Sequence, residues 1–183
     1  PSPGPPPPSP SPPPPPPPAS AFGDKGSLQG ALAEWCSDPA TAQATHGHVS
    51  TWDVTAVTNM RYLLKGEGGV APPCATTFNE DINGWNVGRV TTMYGMFHPT
   101  TVFNTPLNAW NVAKVTDMRG MFRTARSFNQ PIDGWDVGQV TNMDSLFYGA
   151  SSFNQPLNAW NVGQVTSMGT TFTEAVAFNQ PLD

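Results

Sequence analysis

The sequence predicts an α/β repeat solenoid: a right-handed stack of short parallel strands and short helices, with a helical cap before it and a polyproline II arm. Three observations lead to this prediction. A 25-residue unit recurs through residues 51–183, the apolar spacing changes within each unit, and residues 1–20 hold 14 of the 22 prolines. A fixed period of this kind is typical of repeat proteins, in which each unit buries its apolar face only against its neighbours.

Three residue types mark the repeat by keeping the same phase. The pair Phe-Asn recurs every 25 residues from position 78 to position 178, and a Trp and a Met keep the same step. A longer first coil begins at Trp52, which precedes Trp85 by 33 residues. Stacking of equal positions predicts ladders of Trp, Phe and Met, and a hydrogen-bonded ladder of Asn. The expected ladder core is Trp52, Trp85, Trp110, Trp135, Trp160, Phe103, Phe128 and Phe153.

Within a unit, the apolar spacing predicts one short strand followed by one short helix. Leu107, Trp110 and Val112 favour a strand, because the last two alternate. The next apolar residues follow the helical spacing i, i+3, i+4, i+7: Met118, Met121, Phe122 and Ala125. A threonine before each such stripe is expected to cap the helix: Thr91, Thr116, Thr141 and Thr166.

A helical cap is expected over residues 21–50, ahead of the repeats. Apolar residues at helical spacing predict one amphipathic helix over residues 26–36, which ends at Asp38-Pro39 and covers the first coil. The only two cysteines, Cys36 and Cys74, fit one disulfide in an oxidising compartment, although a reduced buried pair is also compatible with the sequence. A bridge between them would fasten the cap to the first coil.

The repeat resembles a known family of surface proteins. The unit F-N-Q-P-I-D-G-W-D-V-G-Q-V-T-N-M at 128–143 is similar to the BspA-type leucine-rich repeat, found in bacterial surface proteins, mycoplasma lipoproteins and microbial eukaryotes. The resemblance covers about residues 50–183, and the stretch at 28–54 resembles the helical cap of such arrays. It implies a secreted or surface-displayed leucine-rich-repeat solenoid that acts in adhesion or structure. It transfers no catalytic residues.

The proline-rich arm, residues 1–20, is expected to form a polyproline II helix roughly 60 Å long. It resembles the extensin and pherophorin stalks of plant and algal extracellular matrix. That resemblance implies hydroxyproline and O-linked glycans, whereas an unmodified flexible linker is the alternative interpretation. The candidate positions for hydroxylation or O-glycosylation are Ser2, Pro3, Pro5, Pro6, Pro7, Pro8, Ser9, Pro10, Ser11, Pro12, Pro13, Pro14, Pro15, Pro16, Pro17 and Pro18.

Charge and motifs argue against several function classes. A net charge of −5 without a Lys/Arg stripe argues against nucleic acid, and no apolar run is long enough for a membrane span. His46-Gly47-His48 is interpreted as a turn and not as a metal site, and three candidate carboxylates as a solvated face: Asp133, Asp136 and Asp144. The sequence therefore predicts no enzyme, no cofactor and no bound metal.

The function predicted from the sequence is that of a structural subunit of an extracellular fibril, surface or matrix assembly. The start at Pro1 without Met is interpreted as a mature segment, and the stop at Asp183 as a missing polar cap. Copies are expected to join head-to-tail through the arm and an assembly end formed by Phe172, Phe178 and Leu182. The alternative is an adhesion or protein- and glycan-binding module on a glycosylated stalk, which a small and monotonous strand face would not favour.

Overall fold

The computed structural model describes residues 20–65, 72 and 74–181. Three helices come first in the chain: α1 at Lys25–Ser37, α2 at Pro39–His46 and the 3-10 helix η1 at Val49–Thr51. From residue 52 onward the described chain consists of hydrogen-bonded turns and loops. Among the described helices none is long and apolar enough to cross a membrane. The proline-rich arm and its candidate modification sites lie outside the described residues, apart from Ser20 at the end of the arm.

The predicted α/β solenoid of leucine-rich-repeat strands and helices is wrong. The described ranges contain no β-strand, and no helix follows η1. Parallel pairing between successive coils is confined to isolated bridges at one residue per coil. These bridges join Asn59, Thr92, Asp117, Asn142 and Ser167 in turn, and a separate bridge pairs Ala21 with Asp53.

The predicted strand at 107–112 fails because the backbone closes into turns there. The Trp110 N–H donates to the Leu107 carbonyl at 3.1 Å, and the Val115 N–H donates to the Val112 carbonyl at 2.8 Å. A bond to the third preceding residue needs a tightly curved backbone, which is incompatible with an extended strand. The alternation of Trp110 and Val112 therefore indicated which side chains are buried, and not the backbone conformation.

The predicted helix at 118–125 fails for a related reason. Gly120 and Thr124 have φ values of 52° and 58°, in the left-handed region that interrupts a right-handed helix. The Gly120 N–H also donates to the Asp144 carbonyl of the next coil at 2.8 Å, instead of to the fourth preceding residue. The four side chains of the predicted stripe are all fully buried: Met118, Met121, Phe122 and Ala125.

The threonines predicted to be helix caps have another role. The Thr116 N–H and hydroxyl both donate to the Thr91 carbonyl, at 2.9 and 3.2 Å. Thr141 makes the same pair of bonds to the Thr116 carbonyl, at 2.9 and 3.1 Å. These residues therefore fix the register between coils that are 25 residues apart.

Side-chain ladders complete the stack of coils. Each asparagine of the Phe-Asn pairs accepts the backbone N–H of the next one, as Asn104 does from Asn129 at 2.9 Å. Each indole N–H of the tryptophan ladder donates to a backbone carbonyl of an earlier segment, as Trp135 does to Leu107 at 3.0 Å. Stacked phenylalanine rings fill the space between these ladders, with Phe103 and Phe128 centroids 6.1 Å apart.

Helices α1 and α2 meet at Asp38-Pro39, which sequence reasoning interpreted only as a stop. Asp38 ends α1, since its N–H donates to the Glu34 carbonyl, and it also caps α2 by accepting the Thr41 N–H at 3.1 Å. Pro39 occupies the first turn of α2, where its missing N–H costs nothing. Hydrogen bonds from Thr41 lower the pKa of the Asp38 carboxyl, so the cap stays charged at neutral pH.

Two contacts fasten α1 to the first coil. Cys36 and Cys74 form a disulfide with Cα atoms 5.0 Å apart and a sequence separation of 38. The Gln29 side-chain amide donates to the carbonyls of Tyr62 and Leu63, at 3.1 and 3.3 Å. The helical segment therefore holds the turn at residues 60–65 in place.

Candidate binding groove

A cavity of about 370 Å³ lies along the turns that follow the methionine ladder. We call it the basic-aromatic groove, and define it by six side chains from three successive coils. These residues are Tyr62, Lys65, Tyr94, His98, Arg119 and Arg123.

The repeat places these side chains in two columns. A buried methionine, such as Met93 or Met118, anchors each turn, and the first and fifth residues after it face the groove. Backbone bonds keep the turns in register, since the Gly95 N–H donates to the Arg119 carbonyl at 2.8 Å. The first column reads Arg61, Tyr94, Arg119 and Asp144, and the fifth reads Lys65, His98, Arg123 and Tyr148.

The floor of the groove depends on glycine. Gly95 has a φ of 60°, and a Cβ atom there would overlap the Tyr62 ring. Gly120 has a φ of 52° in the next coil. Tyr62 itself has a φ of 52°, although it occupies the position that is glycine in these two coils. A bulky side chain in this region is an uncommon arrangement that costs conformational energy.

Cations and aromatic rings alternate along the wall. The Tyr62 and Tyr94 ring centroids are 4.5 Å apart. The Lys65 ammonium lies 4.8 Å from the Tyr62 centroid, and the Arg119 guanidinium lies 4.4 Å from the Tyr94 centroid. Arg61 contacts both rings, at 5.2 and 5.0 Å. Distances below about 6 Å allow cation–π attraction, which holds the flexible basic side chains in place.

The groove concentrates the positive charge of an acidic chain. Four of the eight Lys and Arg residues lie on this face, whereas the whole chain has a net charge of −5. These four are Arg61, Lys65, Arg119 and Arg123. Asp117 pairs with Arg119 at 2.9 Å and raises the pKa of its guanidinium.

His98 contributes a neutral ring to the same wall. Its Nδ1 lies 3.0 Å from the Arg123 carbonyl and 3.0 Å from the Thr124 hydroxyl. Burial lowers the pKa of His98, and the nearby charges of Lys65 and Arg123 act in the same direction. The imidazole is therefore neutral at pH 7, with its Nδ1–H donating to the Arg123 carbonyl.

The groove becomes acidic toward the later coils. Asp144 takes the position of Arg119 and accepts the Gly169 N–H at 2.6 Å and the Ser167 hydroxyl at 2.7 Å. In the neighbouring column the Tyr148 hydroxyl donates to Glu174 at 3.0 Å, which raises the pKa of Tyr148. The positive section therefore extends over only the first three coils.

The residues predicted for the ladder core lie inside the stack. Four of the tryptophans are at most 3% exposed, Trp160 is half-buried, and the three phenylalanines are fully buried. At the predicted assembly end, Phe172 and Phe178 are half-buried and their centroids are 4.2 Å apart. Leu182 lies outside the described residues.

The other candidates make hydrogen bonds within the fold. His46 Nε2 lies 3.0 Å from Glu34, and Gly47 ends α2 with a φ of 75°. Asp133 accepts the Ala159 N–H at 3.0 Å, and Asp136 accepts the Gly138 N–H at 3.1 Å. Over the described ranges, no group of three or more His, Cys, Asp and Glu side chains is arranged to hold a metal ion.

Sequence reasoning missed the groove because it examined the predicted strand face. The signal was present in the repeat itself, at the first and fifth positions after methionine. The Trp, Met and Phe-Asn positions of the unit are constant, whereas over the first four coils these two positions vary among Arg, Lys, Tyr, His and Asp. Variable charged and aromatic residues on a regular scaffold indicate a recognition surface.

Comparison with known protein families identifies a family to which most of the sequence is similar. The family model described as a Mycoplasma protein of unknown function, DUF285, matches residues 38–136 and 70–183. Neither a curated protein nor a solved structure matches the chain. Because the two matched segments together span residues 38–183, well over half of the sequence, the chain belongs to the DUF285 family.

Proposed function

We propose that this chain is an extracellular surface-binding module whose ligand docks in the basic-aromatic groove. The observation that supports this most directly is the placement of half of all Lys and Arg residues on one face of an acidic protein. Such a local excess of charge draws oppositely charged partners and orients them.

Three features favour an extracellular location. The Cys36–Cys74 disulfide is typical of oxidising compartments. The BspA-type resemblance of the repeats belongs to surface proteins, and the proline-rich arm resembles stalks of plant and algal matrix. We propose that the arm displays the coils away from the surface and carries O-linked glycans on hydroxyproline or serine.

A binding survey tests this function. The full chain is applied to an array of neutral and charged glycans and surface proteins, beside two double variants. Arg119→Gln/Arg123→Gln removes two groove cations, and Lys114→Gln/Arg126→Gln removes the same charge from exposed positions outside the groove. We expect at least one ligand whose binding is lost only in the groove variant. Absence of any such ligand would contradict the proposed function.

A structural subunit of a fibril or matrix is a second candidate. Val162 and Met168 are 43% and 48% exposed beside the half-buried Trp160, whereas equivalent residues in earlier coils are covered by the next coil. Association of copies through this face would cover the apolar side chains. Sedimentation velocity from low to high concentration should then show growth that Met168→Glu abolishes. A chain that remains monomeric throughout contradicts this candidate.

A further inference from the structure

We propose that the basic-aromatic groove binds a linear anionic polysaccharide whose sugar units carry carboxylate or sulfate groups. This inference rests on the binding function proposed above and specifies its ligand class. The charge of the groove, the alignment of its cations along the stack and the chemistry of its lining each support it.

The groove has donors left over for an anion. Arg119 donates its Nε–H and one N–H of Nη2 to Asp117, so three of its five N–H groups remain to bind an anion. Lys65 and Arg123 line the same cavity, and Arg61 lies on the two tyrosine rings at its edge. These four cations exceed the nearby carboxylates of Asp117 and Asp144. A guanidinium group can donate two parallel hydrogen bonds to two oxygens of one anion, which carboxylate and sulfate groups both offer.

The basic positions repeat along the stack, which favours a linear polymer. Arg61 and Arg119 occupy the first column, and Lys65 and Arg123 occupy the fifth. The register bonds Tyr62 N–H to Tyr94 carbonyl and Gly95 N–H to Arg119 carbonyl, both 2.8 Å, align these columns with the stack axis. A chain of anionic units lying along this axis meets cations in the first and third coils, with Tyr94 and the neutral His98 between them, whereas one small anion would not span both coils.

The lining favours a sugar over an acidic peptide. The N–H groups of Gly95, Gly120 and Ser145 all donate to the next coil, so this wall offers no free edge to an added β-strand. A docked helix would need an apolar groove, but the side chains that define this one are Tyr, Lys, His and Arg. Burial raises the pKa of Tyr62, so its hydroxyl stays neutral and can both donate to and accept from sugar hydroxyls.

The backbone of Tyr62 is consistent with a role in binding. The next two coils have Gly95 and Gly120 at this left-handed position, and tyrosine tolerates it poorly. Backbone strain of this kind clusters at ligand sites, where the geometry of a side chain matters more than local stability. Tyr62 also projects over Gly95, which leaves room for its ring.

Titration calorimetry with the full chain tests the proposal. The probes are oligogalacturonate, which carries carboxylates, dextran sulfate, which carries sulfates, unmodified dextran, and poly-glutamate. We expect at least one charged polysaccharide to bind, with an affinity that falls as salt rises, and dextran not to bind. Arg119→Gln/Arg123→Gln should weaken binding at least about tenfold, and Lys114→Gln/Arg126→Gln less than about twofold. Comparison of the two charged sugars identifies which anion is preferred.

Tyr62→Gly provides a second test, because this substitution leaves the net charge unchanged. It restores the residue type of the next two coils, so we expect weaker polysaccharide binding without a lower thermal midpoint. Poly-glutamate binding as tightly as the sugars would overturn the proposal in favour of an acidic protein partner. Equal loss in both double variants would also overturn it. If neither charged sugar binds while the array yields another groove-dependent ligand, this inference fails and the binding function stands.

Discussion

Trp135 shows how a single side chain contributes twice to the stack. It is 3% exposed, lies parallel to Trp110 with centroids 6.5 Å apart, and donates its indole N–H to the Leu107 carbonyl at 3.0 Å. Trp135→Ala should lower the free energy of unfolding by about 3–5 kcal/mol, because it opens a cavity and removes one of the two hydrogen bonds to the Leu107 carbonyl, which keeps only the Trp110 N–H. Urea denaturation measures the loss. Val102→Ala, at a position that is 42% exposed, is the control and should change it by less than about 0.5 kcal/mol.

Because of His98, the free energy of unfolding should decrease at acidic pH. Its pKa is lowered from 6.5 by burial, with Lys65 and Arg123 adding to the effect, so the unfolded chain takes up a proton at higher pH than the folded one. The free energy of unfolding should therefore decrease as pH falls below about 6.5, and this decrease should end below the lowered pKa. Denaturation from pH 7.5 to 5 compares wild type with His98→Gln. An identical pH slope in both proteins would contradict this assignment.

At the level of elements, the sequence predicted which residues are buried better than which backbone they form. Leu107, Trp110 and Val112 are buried as expected, but they lie in turns. Apolar spacing reports the burial of side chains, and a tight coil can bury them at the same intervals as a strand or helix. Left-handed residues such as Thr124 were not foreseeable, because nothing in local propensity favours threonine there.

Of the two α-helices, the sequence predicted only the first. The spacing of Leu28, Leu32 and Trp35 predicted α1, which extends one residue beyond the expected helix at each end. Helix α2 was missed because Asp38-Pro39 signals both a stop and a start, and only one buried residue, Ala42, marks the apolar face of α2. The groove was missed although its variable positions are visible in the repeat, because they lie in turns that the sequence had assigned to helices and only the predicted strand face was considered as a binding surface.

The disulfide controls how firmly α1 is attached. It closes a loop between residues 38 positions apart, and a loop of this length contributes about 3–4 kcal/mol in the chain-entropy model. Cys36→Ser/Cys74→Ser should therefore lower the free energy of unfolding by about that amount. Amide hydrogen exchange should quicken first in Lys25–His46. Reductant added to the wild type is the matched control, and a loss below about 1 kcal/mol would show that packing alone holds the helices.

At the scale of the whole molecule, stability arises between neighbouring coils and not within them. The described coil segments contain no strand or helix to hold a backbone shape on its own, so each coil relies on bonds to the next. The asparagine ladder is part of this connection, since Asn129 accepts from Asn154 and donates to Asn104, each at 2.9 Å. The charged columns of the groove depend on the same register, because a shift between coils would separate Tyr94 from Arg119.

This arrangement predicts that the local destabilisation caused by a substitution decreases with distance along the stack. Asn129→Ala leaves the half-buried Asn154 N–H without its acceptor, which should destabilise the two coils that meet there by about 1–3 kcal/mol. Amide hydrogen exchange should quicken most in residues 128–177, less in residues 78–102 and least in helix α1. Asn161→Ala is the control, because that side chain bonds only within its own coil, to the Gly163 N–H at 3.1 Å. Equal acceleration in all segments would instead indicate that the stack unfolds as one cooperative unit.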